Sequence, residues 1–156
     1  LFRVARGVYK SEEAWEDDLY VISLLNQRVC FSHETALYLN DLMEREPFEI
    51  TVSAPRGYNS SHLRKGNIRV FHLREEQYLL GRTSLLTPMG HKVAAHNKER
   101  AICDLLGNKD KTDIQIFQTA FRLYFASNDK NIPLLMRYAS KLNLEERMRQ
   151  YTEVLL

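Results

Sequence analysis

The sequence predicts an α+β fold: a small mixed or antiparallel sheet with flanking helices, followed by a C-terminal helical half. Two observations predict it. Between residues 48 and 96, short segments alternate apolar and polar residues, which is the pattern of half-buried strands. From residue 97 onward the apolar residues recur at intervals of three and four, which is the pattern of amphipathic helices. The length of 156 residues, with 44% hydrophobic residues, suits one domain with its own core.

The predicted elements of the first half begin with a strand over residues 1–9. A helix follows, for which Ser11 is the predicted N-cap, because the acidic residues after it favour a helix N-terminus. Residues 29–31, Val-Cys-Phe, read as a short buried strand. Ser32 caps a second helix, whose apolar residues recur at helical spacing.

The middle of the chain is predicted to supply the rest of the sheet. Four more strands are expected, at 48–54, 68–73, 83–87 and 91–96. Residues 56–62 are rich in Gly, Asn and Ser and predict a loop, whereas 75–80 predicts a short helix ended by Gly81. Pro88-Met89-Gly90 predicts a hairpin between the last two strands.

The second half is predicted to contain four helices. The first covers 98–106 and stops at Gly107. Thr112 is the predicted cap of the next, and Pro133 lies in the first turn of the third. The last covers 144–155. The residues predicted to face the core on the second and fourth of these helices are Ile114, Phe117, Phe121, Tyr124, Phe125, Met148, Tyr151 and Leu155.

Charge is segregated along the chain although the net charge is only +2. Residues 11–49 contain ten acidic and two basic residues, whereas residues 53–100 contain nine basic and three acidic ones. One interpretation is a two-sided surface with one face suited to an anionic partner. The other is that the two segments neutralise each other across the fold, and the sequence does not separate them.

The compartment and the extent of the chain can also be predicted. Cys30 and Cys103 lie in apolar surroundings, so we expect buried thiols in a reducing compartment, the cytoplasm. No apolar run approaches the length of a membrane span, and we expect no membrane partner. The chain opens inside a predicted strand without Met, so we expect it to continue a longer protein, with residues 1–10 as the remnant of an N-terminal element and 11–156 as the main domain.

The segment NKERAICDLL, residues 97–106, contains the densest set of reactive side chains. On a helix that begins near Lys98, Arg100 and Asp104 are four residues apart and can pair, while Glu99 lies in the first turn, where the helix dipole favours it. A catalytic role would need a base and a nucleophile that converge on a pocket, which the spacing does not indicate. We therefore interpret Glu99, Arg100 and Asp104 as a structural brace and expect Arg100→Ala to lower stability by roughly 1–3 kcal/mol.

No cofactor or metal site is predicted. The five histidines have no Cys or acidic partners at metal-ligand spacing: His33, His62, His72, His91 and His96. The glycines are isolated, so no phosphate-binding glycine-rich loop is indicated.

Basic side chains suggest a nucleic-acid interface. The candidates, with one aromatic residue among them, are Arg3, Arg6, Lys10, Arg56, Tyr58, Arg64, Lys65, Arg69 and Arg74. Guanidinium groups beside an aromatic ring and amides suit contact with a phosphate backbone. The alternative is a solvated loop beside a sheet edge, where cationic side chains discourage edge-to-edge pairing.

Several segments together resemble one family. They are RVARGVY near the N-terminus, FSHETALYLNDL, ITVSAPRGYNSSHL, NKERAICDLL and DIQIFQTAFRLYF. In this order they are similar to the AbiEi-type antitoxins of bacterial abortive-infection, type IV toxin–antitoxin systems. The similarity extends over most of the chain, from Leu1 to about Leu142. One departure is Asn40-Asp41, where the family pattern leads us to expect a His-Gly-like helix ending.

The resemblance implies a function and partners. It implies a non-enzymatic antitoxin domain in 11–156, with an α+β half to about 96 and a helical half over 97–156. Residues 1–10 would be the end of the wing of a winged helix-turn-helix. The implied partners are the operator DNA of its own operon, read mainly by that N-terminal domain, and a nucleotidyltransferase-like toxin, counteracted functionally and with no stable complex required.

Two other classes stay open. A nucleic-acid-processing enzyme of nuclease type would need clustered acids for its metal ion, and the predicted strands 48–54, 68–73, 83–87 and 91–96 contain only Glu49. The second class is a protein-interaction module without further activity.

Overall fold

The structure of the protein is a computed structural model that describes residues 2–5, 8–10 and 17–156. The predicted fold class is confirmed. A five-stranded mixed sheet carries helices on both faces, and a helical region follows it toward the C-terminus. None of the helices in the described ranges is both long and apolar enough to cross a membrane.

The first segment forms a two-stranded hairpin. Strand β1 (Phe2–Ala5) pairs antiparallel with β2 (Val8–Lys10), and Phe2 lies opposite Lys10. The prediction of one strand over residues 1–9 was therefore wrong, because the chain reverses within it. The predicted cap Ser11 and the residues up to 16 lie outside the described residues.

The main sheet combines two parallel and two antiparallel strand pairs. Its strands are β3 (Cys30–Phe31), β4 (Ile50–Pro55), β5 (Ile68–Leu73), β6 (Arg82–Leu86) and β7 (Lys92–His96), in the spatial order β5-β4-β3-β7-β6. β4 and β5 are parallel, as are β3 and β7, whereas β3–β4 and the predicted β6–β7 hairpin are antiparallel.

Alternation along the strands gives the sheet two differently lined faces. Val52, Ala54, Val93 and Ala95 pack with α1 (Asp18–Leu25) and α3 (Ser61–Lys65) on one face. Thr51 and Ser53 point to the other face, where α2 (His33–Leu39) covers the sheet. The backbone N–H groups of Thr35 and Thr51 each donate to the other residue's hydroxyl, at 3.1 and 2.9 Å, and join α2 to β4.

The helical half packs around α5 (Lys98–Gly107). It contains α6 (Ile114–Ala126), α7 (Ile132–Lys141) and α8 (Glu145–Leu155), while α4 (Glu75–Leu79) lies earlier, between β5 and β6. The shared core includes Leu37, Ile102, Leu106, Phe121 and Met148. Because α5 contributes to this core and also contacts α2, it joins the sheet to the helical half.

The predicted cap Thr112 was wrong because a neighbouring acid is better placed. Asp17 caps α1 by accepting from Tyr20 N, and Asp113 caps α6 by accepting from Gln115 N at 2.7 Å. Thr112, the predicted cap of α6, instead donates to the carbonyl of Asn108 at 2.8 Å. A carboxylate at the N-cap satisfies free N–H groups and favours the positive end of the helix dipole.

The limits of several elements also differ from the prediction. Residues 61 and 62, at the end of the predicted loop, begin α3. Phe48 precedes β4 and is 91% exposed, so its place in the alternating pattern is incidental. Ile114 and Leu155 were predicted to face the core, but they are the first residue of α6 and the last residue of α8 and are 56% and 41% exposed.

The departure from the family pattern at Asn40-Asp41 has a structural explanation. α2 ends at Leu39, and Asp41 adopts a φ of +61°, the left-handed conformation that a glycine commonly supplies after a helix. The side-chain amide of Asn40 donates to Ala36 O at 2.8 Å and to His96 O at 3.1 Å. The asparagine therefore closes the helix and ties it to β7.

Candidate functional site

The first two turns of α5 hold three buried charged residues, Glu99, Arg100 and Asp104. Asn97 caps the helix, because its side chain accepts from the backbone N–H of Arg100 at 2.9 Å. Glu99 is 4% exposed, and its Oε2 accepts from the Tyr124 hydroxyl at 2.7 Å and from Asn131 N at 3.3 Å. Glu99 therefore binds α5 to α6 and to the start of α7.

Arg100 joins α5 to a different part of the fold from the one that Glu99 contacts. Its Nε donates to Asp104 Oδ1 at 3.0 Å, as the four-residue spacing predicts. Its Nη1 donates to the carbonyls of Gln77 and Leu80, the latter at 2.9 Å, at the C-terminal end of α4. The guanidinium is 2% exposed, so it joins α5 to the segment that enters β6.

Asp104 and His96 present an unusual pair of buried atoms. Among the described residues, Asp104 Oδ2 and His96 Nδ1 have no hydrogen-bond partner, and they lie 3.8 Å apart. His96 Nε2 lies 3.0 Å from the carbonyl of Tyr78, so this nitrogen carries the hydrogen. Nδ1 of the neutral ring is then an acceptor, and two acceptors face each other without a donor between them.

The protonation states around Asp104 follow from burial. Burial lowers the pKa of His96 to about 4 and also lowers the pKa of His33, so both rings are neutral at pH 7. Burial opposes ionisation of Asp104, but the Arg100 guanidinium, through its charge and its hydrogen bond, helps to hold the pKa of Asp104 below the ordinary value. Asp104 is therefore a buried carboxylate at pH 7.

His33 lies beside this carboxylate in a constrained conformation. It begins α2 with a φ of +55°, which is uncommon for a residue with a side chain. Its ring stacks on Phe71 with centroids 3.7 Å apart, and its Nδ1 lies 2.8 Å from Ser32 Oγ. Ser53 Oγ in turn donates to Ser32 Oγ at 2.8 Å, so β4 and β5 both hold the imidazole in place.

A cavity of about 40 Å³ lies over Asp104 and His33. Its wall contains the apolar residues Leu37, Phe71 and Leu105. The charged and polar residues that line it are His33, Glu34, Glu49, Thr51, Arg69, Asp104, Asn108, Lys111 and Thr112. We call this cavity the Asp104 pocket.

The two cysteines are placed as buried thiols. Both are fully buried, and neither forms a disulfide. Burial raises the pKa of Cys30 to about 12 and raises that of Cys103 further. A nucleophilic cysteine needs a lowered pKa, so these thiols are unreactive.

The predicted basic residues of the main domain divide into separate groups. Arg56 and Arg74 follow the C-terminal ends of the neighbouring parallel strands β4 and β5 and therefore lie close together. Pro55 is paired with Leu73, and Arg56 N donates to Leu73 O at 2.9 Å. Arg64 and Lys65 lie on α3, which covers one face of the sheet. All four side chains are exposed.

Arg69 lies apart from the α3 cations. On β5 it shares a face with Phe71 and lines the Asp104 pocket, whereas α3 packs on the opposite face. Its guanidinium lies 4.8 Å from the Phe71 ring centroid and 3.8 Å from Glu49 Oε1. The sequence places Arg64, Lys65 and Arg69 within six positions, but strand alternation separates Arg69 from the other two.

The side chain of Tyr58 makes contacts within the protein. Its hydroxyl donates to Asn26 Oδ1 at 2.9 Å, and its ring packs against the core on the α3 face. Of the N-terminal candidates, Arg3 and Lys10 lie on β1 and β2, and their side chains are outside the described part of the chain, as is Arg6 altogether.

An ion pair joins the acidic and basic segments, since Glu49 Oε1 lies 3.8 Å from Arg69 Nη1. Asp17 Oδ2 also lies within hydrogen-bond distance of His91 Nδ1, at 2.8 Å. The Glu49–Arg69 contact agrees with partial neutralisation across the fold. The exposed groups on α3 and at the ends of β4 and β5 stay available to an anionic partner.

Sequence reasoning missed the Asp104 pocket. It interpreted His33 as a first-turn helix residue and Asp104 only as a partner of Arg100. No local signal indicates the pocket, because its residues come from α2, β4, β5 and α5 and meet only through the sheet order. A comparison of the chain with protein-family models and with curated proteins finds no match to either.

Proposed function

We propose that this chain is the antitoxin domain of a type IV, AbiEi-like toxin–antitoxin system. It acts in the bacterial cytoplasm as a binding protein rather than an enzyme. It counteracts a nucleotidyltransferase-like toxin, and the longer protein represses its own operon by binding operator DNA through an N-terminal winged helix-turn-helix. The basis of the proposal is the resemblance of five segments in a fixed order.

One structural observation supports it most. The segments that carry the resemblance are joined to one another through their own side chains. Thr35 and Thr51 connect FSHETALYLNDL to ITVSAPRGYNSSHL, and Glu99 connects NKERAICDLL to DIQIFQTAFRLYF through Tyr124. Residues used in this way stabilise a fold, so the motifs describe a shared framework rather than a reaction centre.

Growth of cells that express the toxin tests the proposal. The 156-residue chain is expressed with the toxin encoded beside its gene, and colony formation is compared with the toxin alone. We expect recovery of growth. A toxin of unrelated chemistry, such as an endoribonuclease, is the specificity control and should stay toxic in the presence of the chain.

The two negative outcomes are separable. Growth arrest by the neighbouring toxin in cells that contain the soluble, folded chain would reject antitoxicity for this domain. Rescue from the unrelated toxin as well would mean that the chain acts on expression of the toxin and not on its effect.

A further inference from the structure

The charge on the walls of the Asp104 pocket indicates what it can hold. Three carboxylates line it, from Glu34, Glu49 and Asp104, against the two cations Arg69 and Lys111. The floor carries the buried Asp104, whose Oδ2 has no hydrogen-bond partner in the described residues. Asp104 Oδ2 itself faces His96, so a ligand in the pocket would meet the charge of the carboxylate, which repels an anion and attracts a cation.

The Glu34 and Glu49 carboxylates of the pocket are incompletely neutralised. Burial, and then the nearby Glu49 carboxylate, raise the pKa of Glu34 above its ordinary value. The Arg69 guanidinium is 3.8 Å from Glu49 and 47% exposed, so it compensates this pair only loosely. A second cation between Glu34 and Glu49 would relieve their repulsion.

The shape and apolar walls discriminate between cations. About 40 Å³ corresponds to a few water molecules, so the pocket admits only a small group. The walls include Leu37, Phe71 and Leu105, and His33 stacks on Phe71. A guanidinium is planar, weakly hydrated and tolerant of apolar and aromatic contact on its faces, whereas an ammonium is compact and strongly hydrated.

We propose that the Asp104 pocket is a binding site for a guanidinium group, which the carboxylates of Asp104, Glu34 and Glu49 hold from three sides. The group comes either from a small guanidino compound or from an arginine side chain of a protein partner. The proposal stands independently of the antitoxin function.

The first test uses methylguanidinium chloride as the probe, titrated at pH 7 in the low millimolar range and followed by amide NMR shifts. We expect saturable shifts at His33, Phe71 and Asp104. The double variant Glu34→Gln/Glu49→Gln should weaken binding about tenfold or more, the loss of about 1.4 kcal/mol expected when charge-assisted contacts are removed. Both side chains are partly exposed, so we expect this variant to keep the fold.

Matched variants sharpen the test. Glu76→Gln, an exposed acid on α4, should leave the affinity unchanged. Arg69→Met should strengthen binding severalfold, because it removes the cation that competes for Glu49. Asp104→Asn should abolish binding while its amide oxygen still accepts from Arg100, and a circular-dichroism melt checks that this variant folds.

A second arm identifies the source of the group. The peptide acetyl-Gly-Arg-Gly-amide is compared with its citrulline analogue, which has the same shape without the charge. Binding of the arginine peptide at least tenfold tighter than methylguanidinium supports a protein partner, and equal or weaker binding supports a small guanidino compound. Shifts that do not saturate, or that are unchanged in Glu34→Gln/Glu49→Gln, overturn the proposal.

Discussion

Arg100 and Asp104 form an ion pair inside the protein, with Arg100 Nε 3.0 Å from Asp104 Oδ1 and the two residues only 2% and 8% exposed. The other carboxylate oxygen faces the neutral ring of His96 at 3.8 Å without a donor between them. One side of this carboxylate is therefore neutralised and the other is not. The predictions below follow from that asymmetry and from the contacts around it.

Removal of Arg100 should be strongly destabilising. Arg100→Ala leaves Asp104 charged and buried and removes the donors to Gln77 O and Leu80 O, so we expect a loss of about 3–5 kcal/mol in unfolding free energy. This exceeds the sequence-based expectation because the pair is more completely buried. Urea denaturation measures it.

An exposed pair with the same spacing is the control for this variant. Arg149 and Glu145 on α8 are also four residues apart, at 2.8 Å, but their side chains are 44% and 46% exposed. Arg149→Ala should cost about 1 kcal/mol or less. Similar losses for the two variants would show that burial of the Arg100 pair contributes little.

Glu99 and Tyr124 should be energetically coupled. A double-mutant cycle of Glu99→Gln and Tyr124→Phe should give a coupling energy of about 1–3 kcal/mol, because their bond at 2.7 Å is buried and charge-assisted. A cycle that replaces Tyr124→Phe by Tyr151→Phe should be additive, since the Tyr151 hydroxyl accepts from Lys109 instead. Additivity in the first cycle would contradict the brace.

Stability should fall in mild acid because of His96. Burial lowers its pKa to about 4, below the ordinary 6.5, so the unfolded chain binds the extra proton first as the pH decreases. Stability from this group is complete above pH 6.5 and is lost progressively toward pH 4, by about 3 kcal/mol in total. Melting temperatures across this range measure the loss.

His96→Gln tests the assignment, since a glutamine amide can still donate to Tyr78 O. The variant should show a flatter pH dependence between pH 6.5 and 4, with a remaining slope from His33, whose pKa burial also lowers. An unchanged slope would assign the acid sensitivity to other groups.

Gly81 should not tolerate a side chain. It has a φ of +78°, and a Cβ there would lie 2.6 Å from Arg100 Cβ and 3.0 Å from Asn97 Oδ1. We expect Gly81→Ala to cost about 2–4 kcal/mol, from backbone strain and from displacement of Arg100. Gly57→Ala, at a φ of +89° in open space, isolates the strain and should cost about 1 kcal/mol. Equal losses would exclude a clash with Arg100.

Any residual DNA binding by the chain should depend on one face of the sheet. If α3 contacts phosphates, Arg64→Gln/Lys65→Gln should lower the slope of log affinity against log salt by about 2. Arg69→Gln, on the opposite face, should leave the slope unchanged. Electrophoretic mobility shifts over a salt series measure the slopes, and an effect of Arg69→Gln alone would place the contact at the Asp104 pocket.

Local periodicity was sufficient to predict much of this fold. The β6–β7 hairpin, the α5 helix and the Arg100–Asp104 pair depend on residues close in sequence, where strand alternation and helical spacing determine which side chains are neighbours. The fold class follows from the same patterns.

Long-range packing decided the remainder. Competition between Thr112 and Asp113 determined which side chain caps α6, and β5 alternation placed Arg69 opposite α3. His33 and Asp104 are 71 positions apart and line one pocket only because β3 lies between β4 and β7, which brings α2 against α5. Burial in that contact lowers the pKa of His33 and keeps its ring neutral, whereas the neighbours of Asp104 lower its pKa against the effect of burial.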